Sequence, residues 1–165
     1  IEETGGELRF ALSPAGQGDY SDIESIDAYD LRQCQITLEI TEAPAYPDAP
    51  ANFSFAVSSS SDPNSQLFIT VGASAAMIFG VTVDGVTDDE RRPGFSLARD
   101  RWWRIREQDG TVYIETSPDA VGWAVGHQAA SPSYVDDVHV GFWAGTFAAS
   151  SAPGAVALDN VNLLP

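Results

Sequence analysis

The chain has 165 residues and carries 24 acidic side chains against eight arginines and no lysine, a formal charge of −16. Binding to DNA, RNA or an anionic membrane surface rests on basic groups meeting phosphates, so this balance argues against all three as partners. No apolar run approaches the roughly 20 residues of a membrane span, and 44% hydrophobic residues suit one domain over residues 1–165 with a substantial core.

A chain that opens on Ile1 rather than Met is expected to be a mature or excised segment. In order along it, residues 8–12 alternate after Gly5-Gly6, and residues 20–29 mix apolar and acidic side chains. Residues 34–41 set Ile36, Leu38 and Ile40 against Gln35, Thr37 and Glu39, a strand pattern that takes in Cys34 as a buried position. Residues 43–52 hold Pro44, Pro47 and Pro50 and read as a loop. Phe53, Phe55 and Val57 begin the next strand, residues 58–64 form another loop, and Leu67, Ile69 and Val71 mark a further strand. Residues 77–83 are again a strand, whereas 84–94 read as an acidic and then arginine-containing excursion closed by Pro93-Gly94.

Residues 102–108 and 111–116 alternate on either side of Asp109-Gly110, the strongest short-range signal for a two-residue hairpin turn. That turn pairs Ile105 with Ile114, Arg104 with Glu115 and Arg106 with Tyr113. One face then carries Trp103, Ile105, Val112 and Ile114 toward the core. The other carries Trp102, Arg104, Arg106, Tyr113 and Glu115. Residues 117–123, with Pro118 and Gly122, read as a turn, and 121–125, 138–143 and 155–163 as the last strands. About ten to twelve short strands with turn signals between them predict an all-β, two-sheet antiparallel sandwich or barrel.

The motifs carry a resemblance. The run Trp103-Arg104-Ile105-Arg106, the Asp109-Gly110 turn, and Ser117-Pro118-Asp119 leading to Trp123 resemble concanavalin A-like lectin/glucanase domains of the laminin-G-like and xylosidase C-terminal branches. Residues 138–143 (VHVGFW), 157–163 (ALDNVNL), 5–10 (GGELRF) and Tyr29-Asp30-Leu31 extend it over nearly the whole chain. Ala120 stands where the pattern usually has Gly after Asp119. The resemblance implies a jelly-roll β-sandwich, often appended to larger extracellular proteins. Its functions range over glycan binding, glycoside hydrolysis and contacts between proteins.

Among these, the residues favour a non-catalytic, extracellular or cell-surface glycan-binding module. Sugars are bound by aromatic rings against their C–H faces and by charged planar groups at their hydroxyls. Trp102, Arg104, Arg106, Tyr113 and Glu115 supply both on one face, although Arg104–Glu115 and Arg106–Tyr113 also serve as ordinary cross-strand pairs. The six arginines between 91 and 106 equally suit pairing with nearby acids. A structural or adhesive module that assembles with copies of itself or with neighbouring domains is the alternative reading. Hydrolysis comes third, because the acids Asp22, Glu24 and Asp27 lack the spacing that would aim three carboxylates into one cleft. Cys34 has no second cysteine to pair with. His127, in a loop, and His139, facing away from the core, lack a third zinc ligand. Trp123 and Trp143 read as packing residues. The resemblance also implies a structural calcium, held by Asp159 on the last strand with an acid near the first, Glu2, Glu3 or most simply Glu7.

Overall fold

The computed structural model describes residues 1–14, 18–46, 50–72 and 74–162, so Pro47 and Leu163 of the expected loop and last strand lie outside the described residues. Thirteen strands build two antiparallel sheets among the described residues. One sheet has seven strands: β1 (Glu2–Thr4), β2 (Glu7–Ala11), β13 (Ala155–Asp159), β4 (Gln35–Glu42), β9 (Trp102–Gln108), β10 (Thr111–Ser117) and β11 (Ala124–Ala130), in that spatial order. The other has six: β3 (Asp19–Glu24), β12 (Val138–Thr146), β5 (Ala51–Ser59), β6 (Gln66–Val71), β7 (Met77–Val83) and β8 (Val86–Arg92). The predicted all-β sandwich is therefore what the chain forms.

Alternation decides which residues meet between the sheets, because successive side chains of a strand point to opposite faces. Ile36, Leu38 and Ile40 of β4 face Phe53, Phe55 and Val57 of β5 across one apolar core. At its centre Trp103 stacks on Phe53, ring centroids 5.3 Å apart and planes 6° from parallel. The indole N–H of Trp103 donates to the Asp100 carbonyl at 2.8 Å. Asp100 ends the single-turn helix α1 (Leu97–Asp100), and its buried carboxylate is held by Arg92 at 2.5 Å and Arg99 at 2.9 Å. These ion pairs tie the edge strand β8 to the start of β9.

The hairpin has the predicted register: Ile105 opposite Ile114, Arg104 opposite Glu115, Arg106 opposite Tyr113. Asp109 and Gly110 take φ of 51° and 77°, as a tight primed turn demands.

Three expectations are corrected. Residues 84–94 are not an excursion but contain β8, reached through the turn Asp84-Gly85 with φ of 50° and 79°. Asp88, Asp89 and Glu90 obscure the strand pattern, yet charge is what an edge strand uses to resist pairing with other chains. His127 lies in β11 rather than a loop, and is buried. Cys34 is exposed rather than buried. It precedes β4, after a turn in which its N–H donates to the Leu31 carbonyl at 2.9 Å, and no facing strand covers it.

Candidate functional site

Two outward faces carry side chains that a ligand could use. On the seven-stranded sheet, the hairpin brings Arg104, Arg106, Tyr113 and Glu115 together. Glu115 Oε2 accepts from Nε of Arg104 at 2.7 Å and from Nε of Arg106 at 2.9 Å. The Arg106 guanidinium lies 3.9 Å from the centre of the Tyr113 ring, and that of Arg104 lies 4.0 Å from the Trp123 ring. Arg104 also donates to Gln35 at 3.3 Å and Arg106 to Gln108 at 2.7 Å. Trp102 does not join them. It sits opposite Ser117 and Glu39 at the end of the strand and is only 8% exposed.

The cluster is thus internally satisfied. Glu115 is 3% exposed and has both guanidiniums as partners, and each guanidinium already has an aromatic ring beneath it. Trp123, read from sequence as a packing residue, completes the set. All six arginines of the 91–106 span pair with acids: Arg91 with Asp89, Arg92 and Arg99 with Asp100, Arg101 with Glu39, Arg104 and Arg106 with Glu115.

The outward face of the six-stranded sheet is different. Register places Asp22, Trp143, Ser54, Thr70 and Ile78 in one row across it. The adjoining row runs Glu24, Gly141, Ala56, Phe68 and Gly80, and on the other side Tyr20, Gly145 and Asn52 stand together. Small residues in the middle lower the surface between rings. Tyr20 lies across Gly145, and Phe68 lies across Gly80, where a Cβ would stand 2.5 Å from the ring. Tyr20 meets Trp143 edge-on, centroids 5.5 Å apart, and remains 45% exposed.

Beside this pair, the side-chain carbonyl Oδ1 of Asn52 is buried with no hydrogen-bond partner among the described residues. Such a group carries a desolvation cost until a donor reaches it. Ser54 and Thr70, by contrast, bond to each other at 2.8 Å. His139 faces outward from the same strand as Trp143, and its Nδ1 lies 3.0 Å from the Ser25 carbonyl oxygen. Trp143 was readable as an outward residue: in β12, His139, Gly141, Trp143 and Gly145 alternate with Val138, Val140, Phe142 and Ala144, and it is the second set that turns inward.

Asp22 and Glu24 share the outward face of the edge strand β3, while Asp27 lies beyond that strand. For calcium, the described residues contain no group of three or more His, Cys, Asp or Glu able to hold a metal. Asp159 Oδ1 accepts from the Asn160 backbone N–H at 2.6 Å, and neighbouring Glu39 is engaged by Asn160 Nδ2 at 2.5 Å and by Arg101. Calcium takes six to eight oxygens, backbone carbonyls and waters included, so Asp159 and Glu7 would hold one only with further ligands.

No family model matches the chain, and no curated protein matches it. Solved structures do. A legume lectin-like domain from Entamoeba histolytica is 11% identical with a TM-score of 0.63, over 96% of this chain and 82% of that one. The exoplasmic/lumenal domain of VIP36, in its Ca2+-bound form, is 14% identical with a TM-score of 0.63, over 94% and 79%. SCLam, a non-specific endo-β-1,3(4)-glucanase of family GH16, is 4% identical with a TM-score of 0.58, over 82% and 56%. The chain thus has the concanavalin A-like sandwich its motifs resemble, and at such identities the likeness speaks for the fold alone.

Proposed function

We propose that the chain is a non-catalytic glycan-binding module, one unit of a larger extracellular or cell-surface protein, and that the sugar lies on the outward face of the six-stranded sheet. The observation that carries this reading is the edge-on pair of exposed Tyr20 and half-buried Trp143, with Asp22 opposite Trp143 in register. The rings offer apolar faces to sugar C–H groups. Asp22 accepts from sugar hydroxyls. The hairpin face supports the reading less well, because Glu115 already holds the two guanidiniums that would meet a sugar. Fold neighbours that are lectin-like support a sugar ligand as the first class to test. No catalytic residue is assigned, since Asp27 does not join Asp22 and Glu24 on β3.

The test is a glycan array followed by titration of the best binder. Loss of binding in Trp143→Ala and Tyr20→Ala, with Arg106→Ala and Trp123→Ala unaffected, supports this face. The reverse pattern moves the site to the hairpin. One observation favours the rival reading of self-association: β11 is an edge strand without a carboxylate, lysine or arginine, and its Val125 is 50% exposed. Concentration-dependent assembly without glycan binding would establish that reading instead.

A further inference from the structure

The free charges beside the Tyr20–Trp143 pair are of one sign. Tyr20, Asp22 and Glu24 are successive outward positions of β3, about 7 Å apart along the strand. Register sets Tyr20 against Gly145, Asp22 against Trp143 and Glu24 against Gly141. Glu24 lies over the bare backbone at Gly141, where an added Cβ would stand 3.9 Å from its Cγ. Since β3 ends its sheet, no further strand of that sheet lies beyond the two carboxylates. Neither has a hydrogen bond or an ion pair among the described residues.

The cations of the chain are spent elsewhere. It has no lysine, and all eight arginines hold other acids. Arg9 is bonded to Glu42 at 2.9 Å and Arg32 to Asp30 at 2.6 Å, and those from Arg91 to Arg106 hold Asp89, Asp100, Glu39 and Glu115. Arg91, the arginine whose register opposite Ile78 puts it on this face, sits on the far edge strand with Asp89 at 2.9 Å. His139 places its Nδ1 3.0 Å from the Ser25 carbonyl oxygen. The contrast with the other sheet is plain. There Glu39, Glu42 and Glu115 each hold an arginine, whereas Asp22 and Glu24, next to the two rings, hold none.

We propose that the glycan of this face, on the reading that a glycan is what it binds, is an amino sugar: its ring carbons lie over Tyr20 and Trp143 and its ammonium groups beside Asp22 and Glu24. Carboxylates favour an ammonium as a hydrogen-bond donor, and the faces of Trp and Tyr attract it as a charge. A neutral sugar gains only the rings and ordinary hydroxyl bonds. A uronic or sulfated sugar brings its anion to two unneutralised carboxylates on a chain of charge −16.

Hexasaccharides of glucosamine, glucose and glucuronate on one β-1,4 backbone separate these cases. They are titrated calorimetrically into the intact chain at about pH 6, where amines are protonated and carboxylates ionised. In low salt the glucosamine hexamer should bind about fivefold more tightly than the glucose hexamer, as two exposed ion pairs allow, and the glucuronate hexamer most weakly. The preference should fade as salt is raised. The readout is the ratio of glucosamine to glucose affinity, in which any hydroxyl bond common to both cancels. Asp22→Asn combined with Glu24→Gln should bring that ratio to about one. Trp143→Ala should abolish binding of both hexamers, and Tyr20→Ala takes its place if the tryptophan variant does not fold. Glucosamine binding that survives the loss of a ring marks general attraction to an acidic chain and overturns the proposal. So does a glucose hexamer that binds as tightly, a ratio that the double variant leaves unchanged, or a glucosamine hexamer that does not bind. The glycan function is judged separately, and stands if any sugar on the array binds through Tyr20 and Trp143, whatever its charge.

Discussion

The ring of Tyr20 occupies the space that a side chain at Gly145 would need. A Cβ built there overlaps the ring and stands 2.6 Å from the Asp19 carbonyl oxygen. The glycine therefore does more than lower the surface: it fixes the height at which Tyr20 meets Trp143. Gly145→Ala should expel the ring from its seat and strain β3 against β12. The expected cost is about 1–3 kcal/mol, as for other overpacked sites, with glycan binding lost at temperatures where the variant is still folded. Urea unfolding and glycan titration measure the two effects separately. A variant that binds sugar as the parent does would show that Tyr20 is no part of the site.

Glu115 is the keystone of the other face. Its carboxylate is 3% exposed and accepts from two guanidiniums whose side chains are 15% and 19% exposed. Glu115→Gln keeps an acceptor oxygen but removes the charge, and leaves two like charges close together in a poorly solvated place. The loss should be about 3 kcal/mol, the lower end for breaking a buried pair, because both arginines retain some water. Arg106→Gln added to Glu115→Gln should restore part of it. The check is the urea midpoint at unchanged m-value, and glycan affinity of the folded variant should match the parent.

These two sites differ in how far the sequence exposes them. Asp109-Gly110 has one easy backbone solution, and the alternation on either side then fixes every cross-strand pair, so the hairpin cluster is legible down to its residues. What alternation cannot say is whether Arg104 and Arg106 are free or engaged. For Arg104 that depends in part on Trp123, which arrives from beyond a turn. Trp143 and Tyr20 are harder still, because their meeting requires β3 and β12, over a hundred residues apart in the chain, to be neighbours at the sheet edge. The 37% exposure of Ile23, which points between the sheets opposite Phe142, is the least legible, since a sequence pattern marks a side chain as inward but not whether the opposite layer covers it. The strand β8 was obscured by its own edge chemistry, with Asp88, Asp89 and Glu90 where alternation looks for apolar residues.

The chain should be indifferent to calcium at Asp159. That carboxylate bonds the Asn160 N–H, its register neighbour Glu39 is engaged by Asn160 and Arg101, and the described residues contain no group of three or more His, Cys, Asp or Glu able to hold a metal. Melting with and without a chelator, and calorimetric titration with calcium, should show no shift and no heat. Stabilisation by calcium that Asp159→Ala removes would restore a metal at that position.

Ala120 holds φ at +60°, the left-handed region that costs a side chain and not a glycine. Replacing it by Gly relieves that strain but loosens the unfolded chain. The relief should prevail, with Ala120→Gly more stable by about 0.5–1 kcal/mol. A lower unfolding midpoint would mean that the turn gains more from the alanine methyl than its backbone costs.

The same turn offers a test by pH. Asp119 Oδ1 accepts from the Val121 and Gly122 N–H groups, each at 3.0 Å, and from Ser117 Oγ at 3.0 Å. Bonds from the Gly122 amide first, then the Val121 amide and the Ser117 hydroxyl, hold its pKa below the usual 3.8. A depressed carboxylate contributes stability that is complete above its unfolded pKa and disappears as pH falls through its folded one. Asp119→Asn keeps the acceptor oxygen and removes the charge. The parent should therefore unfold at higher urea than the variant at pH 7 and at pH 5, with the gap closing only below the unfolded value near 3.8. Asp119 is solvent-exposed, so the gap should also narrow as salt is added at pH 7. A gap that stays constant from pH 7 to pH 3 would show that Asp119 acts through its shape and not its charge.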